Sequence, residues 1–403
     1  MNKNTIIKLW ALSALIFFSA CESDDEPVAE STPATLNEST KIFLRQAGDL
    51  RGFIGASGLA VDTDALKYGV TTYKVTYETN YKGNKILASA MVFLPETEDV
   101  VSTISFQHGT IASNAEAPSQ LELGSGQIIL ASAMSSAGHV VVLPDFIGFG
   151  ESVDVMHPYY VEDLNATDVI DAIYASRQVA LDEGVKMDNE LYLAGYSQGG
   201  YVTMAVHKHI EEKGIEYYDL KASFPSSGGY DVKLFQEYFF ALESYHQPFF
   251  LAYVANSYKE SYDWDMPLDL MFKEPYATEI PSYFDGSLSG GQINAKLDTL
   301  ISGLLQEDLL SNPNDAKYSI IMDAFEENSL TDWVPQVRMF MYHGDADITV
   351  PYQNSVAVYN EFIKNGASES VVTFEAIPGG THGTGVGPWI ESFVGEIQKM
   401  EAN

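Results

Sequence analysis

Glu190-Leu191-Tyr192-Leu193-Ala194-Gly195-Tyr196-Ser197-Gln198-Gly199-Gly200 reads as a short apolar strand turning sharply into a helix. Glu190 to Ala194 suits a buried strand, and Tyr201 to Glu212 (YVTMAVHKHIEE) carries helical periodicity. Between them lies the one Gly-x-Ser-x-Gly of the chain, Gly195 to Gly199. So tight a turn needs glycine on both sides of the serine, because a Cβ there would strike the neighbouring strand and helix. It also exposes the hydroxyl of Ser197 at the edge of the sheet. The bare pattern arises by composition in roughly one chain in ten of this length, so its partners decide its meaning.

A serine hydroxyl is a poor nucleophile at neutral pH. It needs a base to take its proton, a carboxylate to orient that base, and donors to hold the developing oxyanion. Met339 to Tyr342 form an apolar strand ending in His343-Gly344-Asp345-Ala346-Asp347-Ile348-Thr349-Val350-Pro351, followed by a helical stretch from about Tyr352 to Lys364. Asp347 is the candidate orienter, with Asp345 its rival two residues earlier. Val371 to Ile377 form the last strand, followed by the loop Pro378 to Gly383 and a closing helix from about Trp389. His382 in that loop is the candidate base. His108 and His343 also lie at strand ends, but both precede glycines in turns and read as loop-packing groups. His207 and His209, two apart on a helix, face different directions and make no local metal pair. Asp145 reads as a residue that caps and stiffens its loop.

Tyr73 to Thr79 and Lys85 to Leu94 read as a β-hairpin around Asn80-Tyr81-Lys82-Gly83-Asn84. Parallel strands are expected near 103–106, 140–143, 191–194, 222–224, 338–342 and 371–377, with helical patterns such as Ala166 to Glu183 between them. This alternation predicts an α/β fold with an eight-stranded, mostly parallel sheet covered on both faces. The stretch from about Ser227 to Pro335 breaks the rhythm with more than a hundred mainly helical residues after the sixth strand. From Phe224 to Phe284 there are 17 aromatics in 61 residues, more than twice the 12% of the whole chain. Most of them read as this segment's own core and a few as pocket walls.

The chain resembles the α/β-hydrolase superfamily, and more narrowly its carboxylesterases and secreted lipases. The resemblance rests on the Gln107-His108-Gly109-Thr110 turn, the Gly195 to Gly200 turn, the His343 to Pro351 turn, the Gly379 to Gly383 loop, and Pro144 to Ser152. It covers roughly Tyr68 to Pro225 and Val337 to the C-terminus. It implies the chain order Ser197, Asp347, His382, with spacing after His343-Gly344 favouring Asp347 over Asp345. It also implies an oxyanion hole made by the N–H of Gln198 and that of Thr110, with Gly109 the alternative to the latter. The segment 227–335 would then form a helical cap over Ser197. The reaction implied is ester hydrolysis through an acyl-enzyme, needing no metal or organic cofactor. Glycan acetyl or feruloyl esterase, serine peptidase, and non-catalytic glycan-binding protein on the same scaffold stay open.

Lys3 and Lys8 precede a twelve-residue apolar run, Leu9 to Ala20, too short for a membrane span of about 20 residues but suited to a secretory signal. Cys21 follows and is the only cysteine, so the folded body has no internal disulfide, thiolate cluster or cysteine nucleophile. The arrangement resembles a bacterial lipobox, implying lipidation of Cys21. Glu22 to Glu26 and the polar stretch to about Thr40 cannot bury enough surface to offset ordering entropy and read as a tether, similar to the surface-export signal of Bacteroidetes lipoproteins. The expected divisions are 1–20 signal, 21–40 tether, 41–226 with 336–403 core, and 227–335 cap. The formal charge of −34 argues against nucleic-acid partners and adsorption to acidic lipid, leaving the N-terminal lipid anchor as the membrane contact. The expected substrate is a small-molecule or glycan-linked ester.

Overall fold

The computed structural model describes residues 36–58 and 61–402. The expected signal and lipidated Cys21 lie outside these residues. Nine strands form one sheet: β1 Leu36–Arg45, β2 Val70–Tyr81, β3 Asn84–Pro95, β4 Val101–Gln107, β5 His139–Pro144, β6 Met187–Tyr196, β7 Asp219–Ser226, β8 Arg338–Gly344 and β9 Val372–Ile377. Their order is β1-β2-β3-β5-β4-β6-β7-β8-β9. β1, β2, β3 and β5 pair antiparallel in turn, and β5-β4-β6-β7-β8-β9 run parallel.

The expected eight strands are all present, and the count is corrected to nine by β1. Its first five residues fall inside the stretch expected to be a tether through residue 40. Composition misses β1 because it is an edge strand, mostly exposed, with polar residues held by backbone pairing to β2 rather than by burial. The hairpin of β2 and β3 turns on Lys82 and Gly83, both with positive φ (53° and 78°), the twist that a two-residue hairpin turn requires.

Continuous apolar strands make sense here because both faces are covered. Along β5, Val140 and Val142 enter one core while Val141 and Leu143 enter the other, and along β6 Leu191 and Leu193 oppose Tyr192 and Ala194. The first core is shared with helices α3 (Glu162–Asp182) and α4 (Gln198–Lys213). The second is closed by α1 (Ala47–Ser57), α2 (Gly126–Gly138) and the C-terminal helix Val386–Glu401, through Ile54, Ile128, Trp389 and Phe393.

Between β7 and β8 the chain is helical: α5 Val232–Phe240, α6 Phe249–Ser261, α7 Tyr276–Tyr283, α8 Gly290–Asn294, α9 Ile301–Leu304, α10 Glu307–Ser311 and α11 Ser319–Glu327. With nine strands this insertion follows the seventh rather than the sixth. It is pinned to the sheet layers by polar contacts. The Tyr201 hydroxyl donates to the Asn328 carbonyl (2.9 Å), Tyr258 to the Tyr160 carbonyl (2.9 Å), and Asn354 Nδ2 to the Asp231 carbonyl (2.7 Å). Helix α12 (Tyr352–Lys364) then joins β8 to β9, and α13 (Val386–Glu401) closes the chain.

Candidate active site

β6 passes into α4 through Ser197, whose φ of 61° and ψ of −124° place a non-glycine residue in a region that costs of the order of 1–3 kcal/mol. The surroundings hold it there. Its N–H donates to the Ser226 carbonyl on β7 (2.9 Å), and its carbonyl accepts the first helical bond from Tyr201 N–H (3.1 Å). The flanking glycines are required by close approach: a Cβ on Gly195 would overlap the Gly199 carbonyl, and one on Gly199 would overlap the Gln107 carbonyl of β4.

Ser197 Oγ lies 2.9 Å from His382 Nε2, and His382 Nδ1 lies 2.7 Å from Asp347 Oδ2. A carboxylate can only accept, so Nδ1 carries the proton and Nε2 offers its lone pair to the serine hydroxyl. Asp347 Oδ1 in turn accepts from the N–H groups of Thr349 (2.9 Å) and Val350 (3.0 Å). Burial pushes the Asp347 carboxyl up, but hydrogen bonds from His343 and His382 outweigh it and hold the group at about 2. It therefore stays ionised throughout the range in which the protein would work.

Asp345, the rival, is exposed and accepts from Gly379 N–H (2.7 Å), which ties the β8 turn to the His382 loop. His343 is buried, with Nδ1 2.6 Å from Ser355 Oγ and Nε2 3.0 Å from the Val350 carbonyl and 3.3 Å from Asp347 Oδ2. It braces the Asp347 turn. His108 is packed on Phe146 at 4.2 Å with Nε2 3.2 Å from the Asp145 carbonyl. Asp145 is buried, accepts from Ser119 N–H (2.7 Å) and the Ser89 hydroxyl (2.5 Å), and burial raises its pKa to about 6. His207 lies between Ser223 Oγ (2.7 Å) and Glu211 Oε1 (3.0 Å).

Gln198 is the first residue of α4, so its N–H has no carbonyl one turn earlier to bond. Gly109 backs directly onto Ser197, its Cβ position 3.7 Å from that of the serine, and Gly109 and Thr110 share a cavity with Ser197 and His382. The two expected donors thus border the serine from different elements.

Two cavities meet at Ser197. One, of about 840 Å³ with its mouth, runs among the inserted helices and is walled by Tyr159, Phe235, Phe239, Tyr245, Phe272 and further apolar side chains. The other, of about 1560 Å³ with its mouth, is walled by the 107–110 turn, His382, α1, the start of α2 and Trp389 of α13. Ser197 and Phe250 are the two residues that line both. Of the 17 aromatics, Phe235, Phe239, Phe240, Tyr245, Phe250 and Phe272 face the first cavity, while others, such as Tyr262 stacked on Trp264 at 5.9 Å, pack among themselves.

Sequence reasoning passed over His157 and Tyr159. His157 is buried and bonds the side chain of Gln198 (2.6 Å), and the Tyr159 hydroxyl shares a hydrogen bond of 2.9 Å with Thr110 Oγ1. No spacing rule points to them. The available signal was a His-Pro-Tyr-Tyr run, unusually aromatic for a loop between a strand and a helix.

Residues 116–210, which hold α2, β5, α3, β6 and most of α4, match the model of the secretory lipase family. No curated protein matches the chain. Among solved structures, a protein from Legionella pneumophila described as a hydrolase superposes with a TM-score of 0.80 at 24% identity, covering 91% of this chain and 98% of that one. The rice cell wall degrading esterase LipA from Xanthomonas oryzae gives 0.77 at 22% identity, covering 91% and 97%. Candida antarctica lipase A in its closed state gives 0.65 at 16% identity, covering 87% and 78%. With its strand order, its serine at the β6–α4 turn and these likenesses, the chain has the α/β-hydrolase fold.

Proposed function

We propose that this protein is a serine hydrolase that cleaves carboxylic esters through an acyl-enzyme. The observation that carries the reading is the unbroken relay from Ser197 Oγ through the His382 imidazole to Asp347, at 2.9 and 2.7 Å. Ser197 Oγ attacks the ester carbonyl as His382 Nε2 takes its proton. The ionised Asp347 holds the imidazole tautomer and stabilises the cation that forms. The N–H groups of Gln198 and Thr110 receive the oxyanion, assisted by the positive end of α4. His382 then protonates the leaving alcohol, and on the return half-reaction it activates the water that releases the acid.

The cavities support a division of the ester into two halves. His382 must reach the leaving oxygen, and it lines the second cavity and not the first. The alcohol therefore sits in the second cavity and the acyl group in the first, whose rings favour an apolar chain or aryl group. The inserted helices act as a cap on that acyl site. Cleavage of feruloyl or acetyl groups from cell-wall glycans is the second reading. It draws on the likeness to the rice cell wall degrading esterase and on the roomier alcohol cavity. The apolar run before Cys21 and the secretory family match support export, and Cys21 with the acidic run Glu22 to Glu26 behind it supports lipid anchoring at the outer membrane with the body facing outward.

Turnover of p-nitrophenyl acetate, butyrate and palmitate, methyl ferulate and acetylated xylan tests the reading. Ser197→Ala should lower kcat on every cleaved ester by about 10⁴ or more. Equal turnover by both proteins would sink the mechanism.

A further inference from the structure

The segment His157-Pro158-Tyr159 stands outside the relay, yet it reaches both residues expected to donate to the oxyanion. His157 is buried between Phe146, stacked at 5.9 Å, and Tyr253, edge-on at 5.8 Å. Its Nδ1 lies 2.7 Å from the Ile147 carbonyl, which can only accept, so Nδ1 carries the proton and Nε2 presents a lone pair. The Gln198 side-chain amide donates to that lone pair at 2.6 Å. Gln198 Oε1 has no hydrogen-bond partner among the described residues, which leaves this bond to orient the amide. Two residues on, the Tyr159 hydroxyl meets Thr110 Oγ1 at 2.9 Å, while its ring stacks on Tyr253 at 4.3 Å.

The segment is itself anchored. Tyr159 N–H donates to the His157 carbonyl (2.8 Å), Asn165 Nδ2 to the Pro158 carbonyl (2.7 Å), and Ser257 Oγ to the Tyr159 carbonyl (3.2 Å). The His157 backbone approaches Gly148 so closely that a Cβ there would overlap it.

We propose that His157 and Tyr159 are positioning residues for the oxyanion hole, one segment gripping the side chains of Gln198 and Thr110 so that their two peptide N–H groups keep a fixed spacing. The inference rests on the ester-hydrolase reading above. The two donors come from different elements, the start of α4 and the half-buried turn after β4, and no single backbone run sets their separation. Small errors in that spacing weaken binding of the oxyanion, a species that exists only past the ground state. Burial pulls the His157 pKa down to about 3, so the lone pair that grips Gln198 persists across neutral and mildly acidic pH.

Tyr159→Phe removes one oxygen and should lower kcat about tenfold, with KM held within about twofold, because the loss falls on the transition state. Affinity for an arylboronic acid that adds to Ser197 as a tetrahedral anion should fall in step. Affinity for the product carboxylate should not. In a Thr110→Val background, Tyr159→Phe should cost nothing further. His157→Leu should behave like Tyr159→Phe, while His157→Gln, whose amide can donate to Ile147 and accept from Gln198, should recover most of the rate. The proposal is overturned if boronate affinity is unchanged, if KM rises while kcat holds, or if Tyr159→Phe loses its full factor in the Thr110→Val background. If His157→Leu does not fold, the Tyr159 cycle decides. Ser197→Ala belongs in the same panel: retained turnover there would fault the hydrolase reading itself, whatever the Tyr159 result.

Discussion

Ser197 stands between a wall made of backbone and a wall made of rings. On one side the elbow and the Asp347 turn are set by peptide groups. Ser197 N–H is on Ser226 O, and the N–H groups of Thr349 and Val350 are on Asp347. On the other side, the inserted helices present Phe235, Phe239, Tyr245, Phe250 and Phe272, which meet the cavity through side chains alone. Peptide bonds fix atoms to the tolerance that proton transfer needs, whereas packed rings fix a volume. Chemistry should therefore be lost by small polar changes in the first wall, and selectivity retuned by size changes in the second.

The two carboxylates of the Asp347 turn give the sharpest break point. Asp347→Asn keeps the shape but removes the acceptor that selects the His382 tautomer, and kcat should fall about 10³- to 10⁴-fold with little change in melting temperature. Asp345→Asn should keep within a few-fold of the wild-type rate, since an amide oxygen can still accept from Gly379 N–H. Steady-state kinetics of both on p-nitrophenyl butyrate measure the contrast. Comparable losses would mean that the whole turn, rather than one carboxylate, carries the effect.

The backbone wall also holds a buried carboxyl. Asp145 accepts from Ser119 N–H and Ser89 Oγ, and burial raises its pKa from 3.8 to about 6. The folded protein thus holds this proton more tightly than the unfolded chain. Stability is greatest below about pH 4 as far as this group is concerned, falls as pH rises towards 6, and is flat beyond about 7. Asp145→Asn removes the titration and can keep the Ser119 bond through its oxygen. Relative to that variant, wild type should lose about 2 kcal/mol between pH 4 and pH 7. Urea midpoints at pH 4, 5.5, 7 and 8.5 measure it, and a wild type that gains on the variant with rising pH would show a carboxylate stabilised by its donors instead.

The same contrast explains what could be read from the sequence. Gly195, Gly199, Asp347 and His382 were legible because backbone crowding and strand ends impose residue types at set places in the chain. β5 and β6 were legible because two-sided burial makes an unbroken apolar run. β1 was not, since an exposed edge strand is held by main-chain pairing that any residue can make. His157 and Tyr159 were not, because they act through side-chain bonds to Gln198 and Thr110, residues 41 and 49 positions away in the chain. Aromatic enrichment announced the inserted segment, yet it could not separate Phe250 beside the serine from Trp264 packed on Tyr262.

Phe250 tests the ring wall alone. It lies in the first turn of α6, half-buried, its ring 4.1 Å from Phe249 and parallel to Tyr159 at 6.5 Å, and it lines both cavities at their junction. Its side chain makes no hydrogen bond to lose, so the relay stays intact when it changes. Phe250→Ala joins the acyl and alcohol spaces, and bulky esters should gain on acetate by about tenfold in kcat/KM, the scale set by the few methylenes' worth of contact involved. Phe250→Trp should move the ratio the other way by narrowing the junction. The measurement is the ratio of kcat/KM for p-nitrophenyl octanoate over acetate, beside methyl ferulate for the aryl acyl group. If both variants lower every substrate by one common factor, Phe250 belongs to the wall that holds the chemistry, and the division between backbone and rings fails at the point where the two cavities touch.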